Sequence, residues 1–189
     1  MTQKYVLTGG PCTGKTTLLE HLCDRYTIVA ESAREIIAEQ SISPQPILPW
    51  TDIYNFQLLV LYRQQQKEIS LNGNDAFLDR SIIDGLAYCL EAQIRVPKLE
   101  AAIKNTHYDL VFLLDPLPYN QDNARREDAM KARHLHNLIA QVYEQCGYHP
   151  ITVPVLPPHE RVHFVDQKIR EQQKENKTNQ TEVHHGRML

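Results

Sequence analysis

Residues Gly9 to Thr16 read Gly-Gly-Pro-Cys-Thr-Gly-Lys-Thr and match Gly-x-x-x-x-Gly-Lys-Ser/Thr in full. Such a loop has to follow a strand and open a helix, because its backbone N–H groups wrap phosphate oxygens while the helix N-terminus points its dipole at them. Both neighbours are present. Residues 4–8 form a short apolar run, and residues 15–25 place Leu18, Leu19 and Leu22 on one helical face. The glycines let the backbone approach closely and take positive φ. The loop predicts a nucleoside triphosphate site made by Gly9, Gly10, Pro11, Cys12, Thr13, Gly14, Lys15, Thr16 and Thr17. Lys15 is placed to reach the β- and γ-phosphates, the Thr16 hydroxyl to ligate Mg²⁺, and Thr17 to touch the α-phosphate. Cys12 reads as a small filler.

The rest of the chain continues the strand–helix alternation. Strands are predicted at 26–30, 76–79, 108–114 and 151–155, and helices at 32–40, 51–70, 98–105, 127–146 and 158–172. Thr51 or Asp52 is a candidate cap for the third helix, and Ser81 with Asp84 fits a capping box for the next. The continuous run Leu110 to Leu114 fits a strand buried on both faces. The pattern predicts a doubly wound α/β fold, that is, a P-loop NTPase with a three-layer α/β/α arrangement around a five-stranded parallel sheet. Ligands in such sheets bind beyond the carboxyl ends of the strands, where the polar motifs of this sequence fall.

A chain of 189 residues suits one domain. It is read as a P-loop kinase-like domain over 1–172 and a polar tail over 173–189, expected to be disordered. No apolar run long enough to span a membrane occurs, and the first residues lack a charged-then-apolar leader, so a cytoplasmic protein is expected. The net charge of −3 argues against nucleic-acid binding as a dominant role. Cys12, Cys23, Cys89 and Cys146 contain no Cys-x-x-Cys pair, so neither a zinc ribbon nor a disulfide framework is indicated. His134 and His136, two apart on a helix, point to different faces and make a poor metal pair. Trp50 and Tyr54 are read as core packing.

The phosphate loop needs a carboxylate near Mg²⁺, at the end of a neighbouring strand. Asp79, which ends Ala76-Phe77-Leu78, is the candidate, as a water-mediated metal partner or a base. Arg80 follows it and suits an acceptor or transferring phosphate. Glu31, just past the second strand, can face an acceptor hydroxyl and orient or deprotonate it, with Arg34 one turn on to meet an anionic substrate. The segment Asp115 to Glu127 is polar and proline-broken. It carries Arg125 and Arg126, candidates for stabilising transition-state charge.

Val6 to Thr17, Glu31-Ser-Ala-Arg-Glu, Phe56-Gln57, Leu78-Asp-Arg-Ser, Asp84-Gly85, Asp122-x-x-Arg125-x-Glu127 and Gly147-Tyr148 together resemble the NadR-like AAA-domain family. The resemblance spans residues 4 to 170 and extends to nucleoside and nucleotide kinases. It implies a strand order of 2-3-1-4-5. It also implies that Phe56 stacks on an acceptor base, that Gln57 hydrogen-bonds an amide or base edge, and that the loop Pro154 to Glu160 lines the adenine. Asn176-Lys177-Thr178-Asn179 is not the guanine-reading Asn-Lys-x-Asp, which favours ATP. The first reading is therefore an ATP- and Mg²⁺-dependent kinase of a nucleoside-like small molecule. The alternative is an ATP-binding or hydrolysing switch that works through a protein partner. The oligomeric state is left open.

Overall fold

The computed structural model of the chain describes residues 2–118 and 126–185, and the side chains among them except those of 126–128 and 179–185. Strand β1 (Lys4–Thr8) occupies the centre of a five-stranded sheet, between β3 (Ala76–Asp79) and β4 (Leu110–Leu114). Strand β2 (Thr27–Val29) flanks β3, and β5 (Ile151–Val153) flanks β4, giving the order β2-β3-β1-β4-β5. Every pairing is parallel. The register pairs Leu7 with Asp79 and Val29 with Leu78, so the residues that follow β1, β2 and β3 emerge side by side at one edge. That edge is where the phosphate loop, Glu31 and Arg80 lie.

Strand residues alternate between two apolar layers, as the two-residue period of a strand requires. Tyr5, Leu7, Phe77, Phe112 and Leu114 pack with Leu18, Leu19 and Leu22 of α1 (Lys15–Leu22) and with Val165 and Ile169 of α7 (Pro158–His185). Val6, Leu78, Val111 and Leu113 pack on the opposite face, with Ala87 of α4 (Asp84–Glu91) and with Leu135, Ile139, Val142 and Tyr143 of α6 (Arg126–Gln145). Helices on both faces make the three layers. A smaller cluster joins Leu61 of α3 (Ile53–Ile69), Ile82, Cys89 and Leu99 of α5 (Pro97–Ile103). Helix α2 (Ser32–Gln40) leans on α3 through Ser32 Oγ, which donates to Gln64 Oε1 at 2.8 Å.

Of the two expected helix caps, one forms as such. Asp52 caps α3 by accepting the Asn55 N–H at 3.1 Å, which satisfies one of the helix's free first-turn donors. Asp84 reaches back to the Ser81 N–H at 2.9 Å and Ser81 Oγ accepts the Ile83 N–H at 3.1 Å, but α4 begins at Asp84 with Ile83 as its N-cap and no side-chain cap, so the pair closes the turn before the helix instead of capping it. Three other local readings change. The strands at 26–30 and 151–155 shorten to β2 and β5, each lying on an edge of the sheet. Trp50 and Tyr54 are exposed, at 69% and 42%: Trp50 ends the Pro-rich segment on the surface, and Tyr54 lies on the outer side of the first turn of α3. The last helix does not stop at 172. No Gly or Pro occurs between His159 and His185, and Lys168 pairs with Glu171 at 2.8 Å on its surface, so α7 runs on to His185 with residues 173–178 solvated.

Candidate phosphate-loop cleft

The loop from Gly9 to Thr16 joins the end of β1 to α1. Gly9 and Gly14 take φ of +131° and +85°, conformations that side chains resist, and Gly14 serves as the N-cap of α1 without a side-chain cap. Cys12 takes φ of +56° despite its side chain, at a cost of about 1–2 kcal/mol that the surrounding loop has to offset. Its thiol is exposed. Lys15 folds back over the loop, donating to Gly10 O at 2.8 Å and to Gly9 O and Thr13 Oγ1 at 3.2 Å. Burial, with the nearby Arg80 adding to it, lowers the Lys15 ammonium from the usual 10.5 to about 8.

Two residues to which the sequence assigned no part in the site hold the loop from outside. His136 of α6 accepts the Gly10 N–H on Nδ1 at 3.3 Å, and a Cβ at Gly10 would stand 2.9 Å from Ala132 O and 3.1 Å from His136 Cβ. Burial lowers the His136 pKa, which suits an unprotonated Nδ1 acceptor. Arg161 of α7 donates from Nη1 to Thr13 O at 2.6 Å and from Nε to Pro154 O at 3.0 Å. These partners lie 126 and 148 residues along the chain from the loop atoms they meet, so no local pattern announces them.

Asp79, Arg80 and Glu31 come together beside the loop. Asp79 Oδ1 is buried and has no hydrogen-bond partner among the described residues. Burial, and next the Glu31 carboxylate, raise its pKa. Thr16, Glu31 and Asp79 line one surface pocket. A buried, unpaired carboxylate oxygen sharing a pocket with the loop threonine fits a Mg²⁺ held by few protein oxygens and by phosphates. No group of three or more His, Cys, Asp or Glu side chains able to cage a metal occurs among the described residues. Arg80 is buried, with φ of +68°, and its backbone N–H bonds Leu7 O at 3.0 Å. Its Nε donates to Glu31 Oε1 at 3.1 Å, its Nη1 to Asp84 Oδ1 at 3.0 Å, and the guanidinium carbon sits 5.8 Å from the Tyr88 ring centre. Arg34 is largely exposed and reaches Glu31 Oε2 at 3.5 Å.

A recess of about 140 Å³ opens on the far side of Glu31 and Arg80. Phe56, Gln57, Tyr88 and Gly85 line it, together with Asp79 and Asp84. Phe56 and Gln57 are both buried, and Gln57 Oε1 has no hydrogen-bond partner among the described residues. A Cβ at Gly85 would come within 2.9 Å of that same oxygen. The pocket over the phosphate loop, lined by Pro11 to Thr17, shares Glu31, Ile37 and Arg80 with the recess. These three residues stand where the two pockets adjoin. The sequence-derived set Lys15, Thr16, Glu31, Arg34, Phe56, Gln57, Asp79 and Arg80 is thus gathered in one cleft. Arg125 lies outside the described residues. Arg126 opens α6, with its side chain outside them.

Comparison with known proteins agrees with the fold. A family model described as an AAA domain matches residues 4–161. No curated protein sequence matches the chain. The fold is similar to that of the NadR protein in complex with NR, at a TM-score of 0.68 and 17% identity over 90% of this chain and 50% of that one. It is similar to the NadR protein in complex with NAD and AMP-PNP, at 0.64 and 18% over 88% of this chain and 49% of that one. It is also similar to thymidylate kinase from Ehrlichia chaffeensis, at 0.63 and 13% over 89% of this chain and 98% of that one. The chain therefore spans about half the length of the NadR chains it matches. Among the described residues, no helix is long and apolar enough to cross a membrane.

Proposed function

The chain belongs to the AAA domain family, and from that premise we propose that it is an ATP- and Mg²⁺-dependent kinase that phosphorylates a nucleoside-like small molecule. One observation carries the reading. The phosphate-loop pocket and the recess adjoin at Glu31, Ile37 and Arg80, so a triphosphate and an acceptor held in the two would face each other across a carboxylate and an arginine. Holding two reactants in such register is the main task of a phosphoryl-transfer enzyme. The NadR structure with AMP-PNP supports ATP as the donor.

In this reading Lys15 leaves its loop carbonyls for the β- and γ-phosphates, and the amides of the loop cradle the rest. Thr16 and Asp79 would hold Mg²⁺, which neutralises phosphate charge. Glu31 takes the acceptor hydroxyl proton. The acceptor oxygen bonds to the γ-phosphorus, and the bond to the β–γ bridging oxygen breaks, releasing ADP. Phe56 and Gln57 meet the acceptor's ring and its N–H edge, since Gln57 Oε1 is an acceptor with no donor among the described residues. Arg125 and Arg126 are assigned, from sequence alone, to the phosphate charge of the transition state.

The charge of the recess favours an acceptor that brings no phosphate. Its charged lining comprises Glu31, Asp79 and Asp84 against Arg80, and that arginine already serves two of the carboxylates. A nucleoside monophosphate would add negative charge to a recess whose lining already sets three carboxylates against one arginine. The test is ATP turnover with and without a panel of nucleosides and nucleoside monophosphates, with the product identified by mass spectrometry. A nucleoside-dependent phosphorylated product supports the proposal. Turnover indifferent to every acceptor, or stimulated only by monophosphates, overturns it.

The exposed Ile42, Trp50 and Tyr54, on the segment beside the recess-lining Pro49 and Ile53, favour a second reading as a nucleotide-gated interaction protein. ATP-dependent capture of a protein partner, with no acceptor effect, would select it.

A further inference from the structure

Arg80 presents a physical problem. It is buried, its backbone is left-handed, and it stands where the two pockets adjoin. A residue in that state persists only when its surroundings over-determine it. The surroundings here converge on one side chain, Asp84, which is 2% exposed.

Four donors from three parts of the fold meet its two oxygens. Oδ1 accepts from Thr8 Oγ1, at the end of β1, and from Arg80 Nη1 at 3.0 Å. Oδ2 accepts from the Ser81 N–H at 2.9 Å and from Tyr143 OH, in α6, at 2.6 Å. Since Tyr143 donates to Asp84, the 2.7 Å contact between Ser81 Oγ and Tyr143 OH runs from Ser81 to Tyr143, which leaves every hydroxyl proton in the cluster placed. A helix cap needs one acceptor for one N–H. This carboxylate does more: it ties the guanidinium of Arg80 to the residue directly before the phosphate loop and to the helix packed on that loop.

We propose that Asp84 is the positioning residue of the cleft: it fixes Arg80 so that Nε is presented to Glu31, and it locks that pair in register with the start of the phosphate loop at Thr8. The inference rests on the reading of Glu31 and Arg80 as the wall between donor and acceptor. Asp84 borders the recess, but both of its oxygens are engaged by protein donors, so it acts through Arg80. With Nε and Nη1 committed to the two carboxylates, Nη2 makes no protein hydrogen bond among the described residues and is the edge left to meet a transferring phosphoryl group. Without Asp84 the guanidinium keeps the Tyr88 ring and one ionic partner, Glu31, and the carboxylate that has to receive the acceptor proton becomes the only charge pairing the arginine beside it.

The test is Asp84→Asn, which keeps the shape but turns one acceptor into a donor facing other donors. Two readouts are taken. The first is solvent exchange of the Arg80 Nε–H in ¹⁵N-edited NMR spectra, which needs no acceptor. The second is the steady-state kinetics of whichever acceptor supports transfer, alongside the equilibrium Kd for ATP. The account expects a slowly exchanging Arg80 Nε–H in the wild-type protein and loss of that protection in the variant, by about tenfold or more. It expects kcat to fall by about 10²-fold, with the ATP Kd changed less than about twofold, because the loop amides and Lys15 remain. Unchanged Arg80 exchange in a folded Asp84→Asn protein overturns the proposal. So does a wild-type Arg80 Nε–H that exchanges as fast as that of the exposed Arg34, a result that holds even if the variant does not fold. If no acceptor is ever found but Arg80 loses protection in the variant, the positioning role stands and the kinase reading falls. If transfer is found and Asp84→Asn leaves kcat intact, the positioning role alone falls.

Discussion

Arg80 Nε donates to Glu31 Oε1 at 3.1 Å, joining the residue after β3 to the residue just before α2. The pair spans the cleft, and each member serves the other. The arginine holds the carboxylate in one orientation, and the carboxylate offsets a charge that burial alone would penalise. Neither residue is explained by the phosphate loop, and both line each of the two adjoining pockets.

Substituting Glu31 with Gln keeps a hydrogen-bond acceptor for Arg80 Nε and removes the base. Phosphoryl transfer is expected to fall by about 10²–10⁴-fold, while the ATP Kd stays put. Single-turnover kinetics and equilibrium binding on the same preparation check this. A full transfer rate removes Glu31 from the chemistry.

Lys15 sets a pH dependence. Its pKa in the folded protein is about 8 against the usual 10.5. Below pH 8 the charged ammonium carries its burial cost in the folded state, and that cost is relieved as pH rises from about 8 toward 10.5. Phosphates favour the charged form, so ATP binding draws a proton onto Lys15. Near pH 8 the uptake is expected to be about half a proton per site and to shrink toward pH 6.5. Calorimetry in buffers of different ionisation enthalpy measures it. Zero uptake at pH 8, or uptake that grows toward pH 6.5, contradicts the assignment.

Gly85 sets the room available to Gln57. A Cβ there would stand 2.9 Å from Gln57 Oε1 and 3.1 Å from Leu99 Cδ2. In Gly85→Ala the amide has to move, so the acceptor KM is expected to rise by about tenfold or more, with the ATP KM unchanged. An unchanged acceptor KM would separate Gln57 from acceptor recognition.

Gly10 is the point where α6 rests on the phosphate loop. Gly10→Ala forces a methyl against Ala132 O and His136 Cβ, and a loss of about 1–3 kcal/mol is expected from overpacking. Denaturant unfolding measures the loss. A variant as stable as the wild type would show that the loop and α6 separate at little cost.

Much of this was legible in the sequence because it is local. The phosphate loop is a contiguous pattern between a strand and a helix, and Asp79 and Glu31 stand just past short apolar runs, where a parallel sheet puts its ligands. The supports were not legible. Asp84 looks like a helix cap, because its bond to the Ser81 N–H is three residues away, but its bonds to Thr8 and Tyr143 span 76 and 59 residues. His136 looks like one of two unrelated histidines, and Arg161 like a charge at a helix start, until the fold sets both on the phosphate loop. Trp50 mislead in the other direction: aromatic size predicts burial, and only the path of the Pro-rich segment puts the ring in solvent. The continuation of α7 past 172 was hidden because its outer residues are polar on every side, so no apolar stripe marks them.

The central claim is that Glu31 faces a donor on one side and an acceptor on the other. A structure of the protein with AMP-PNP, Mg²⁺ and the accepted nucleoside tests it most directly. The account predicts the triphosphate on the Gly9–Thr16 loop, the acceptor ring in the recess beside Phe56 and Gln57, and an acceptor hydroxyl within about 2.6–3.2 Å of a Glu31 oxygen. An acceptor seated elsewhere, or one whose hydroxyls all lie beyond reach of Glu31 while the triphosphate is in place, would contradict it.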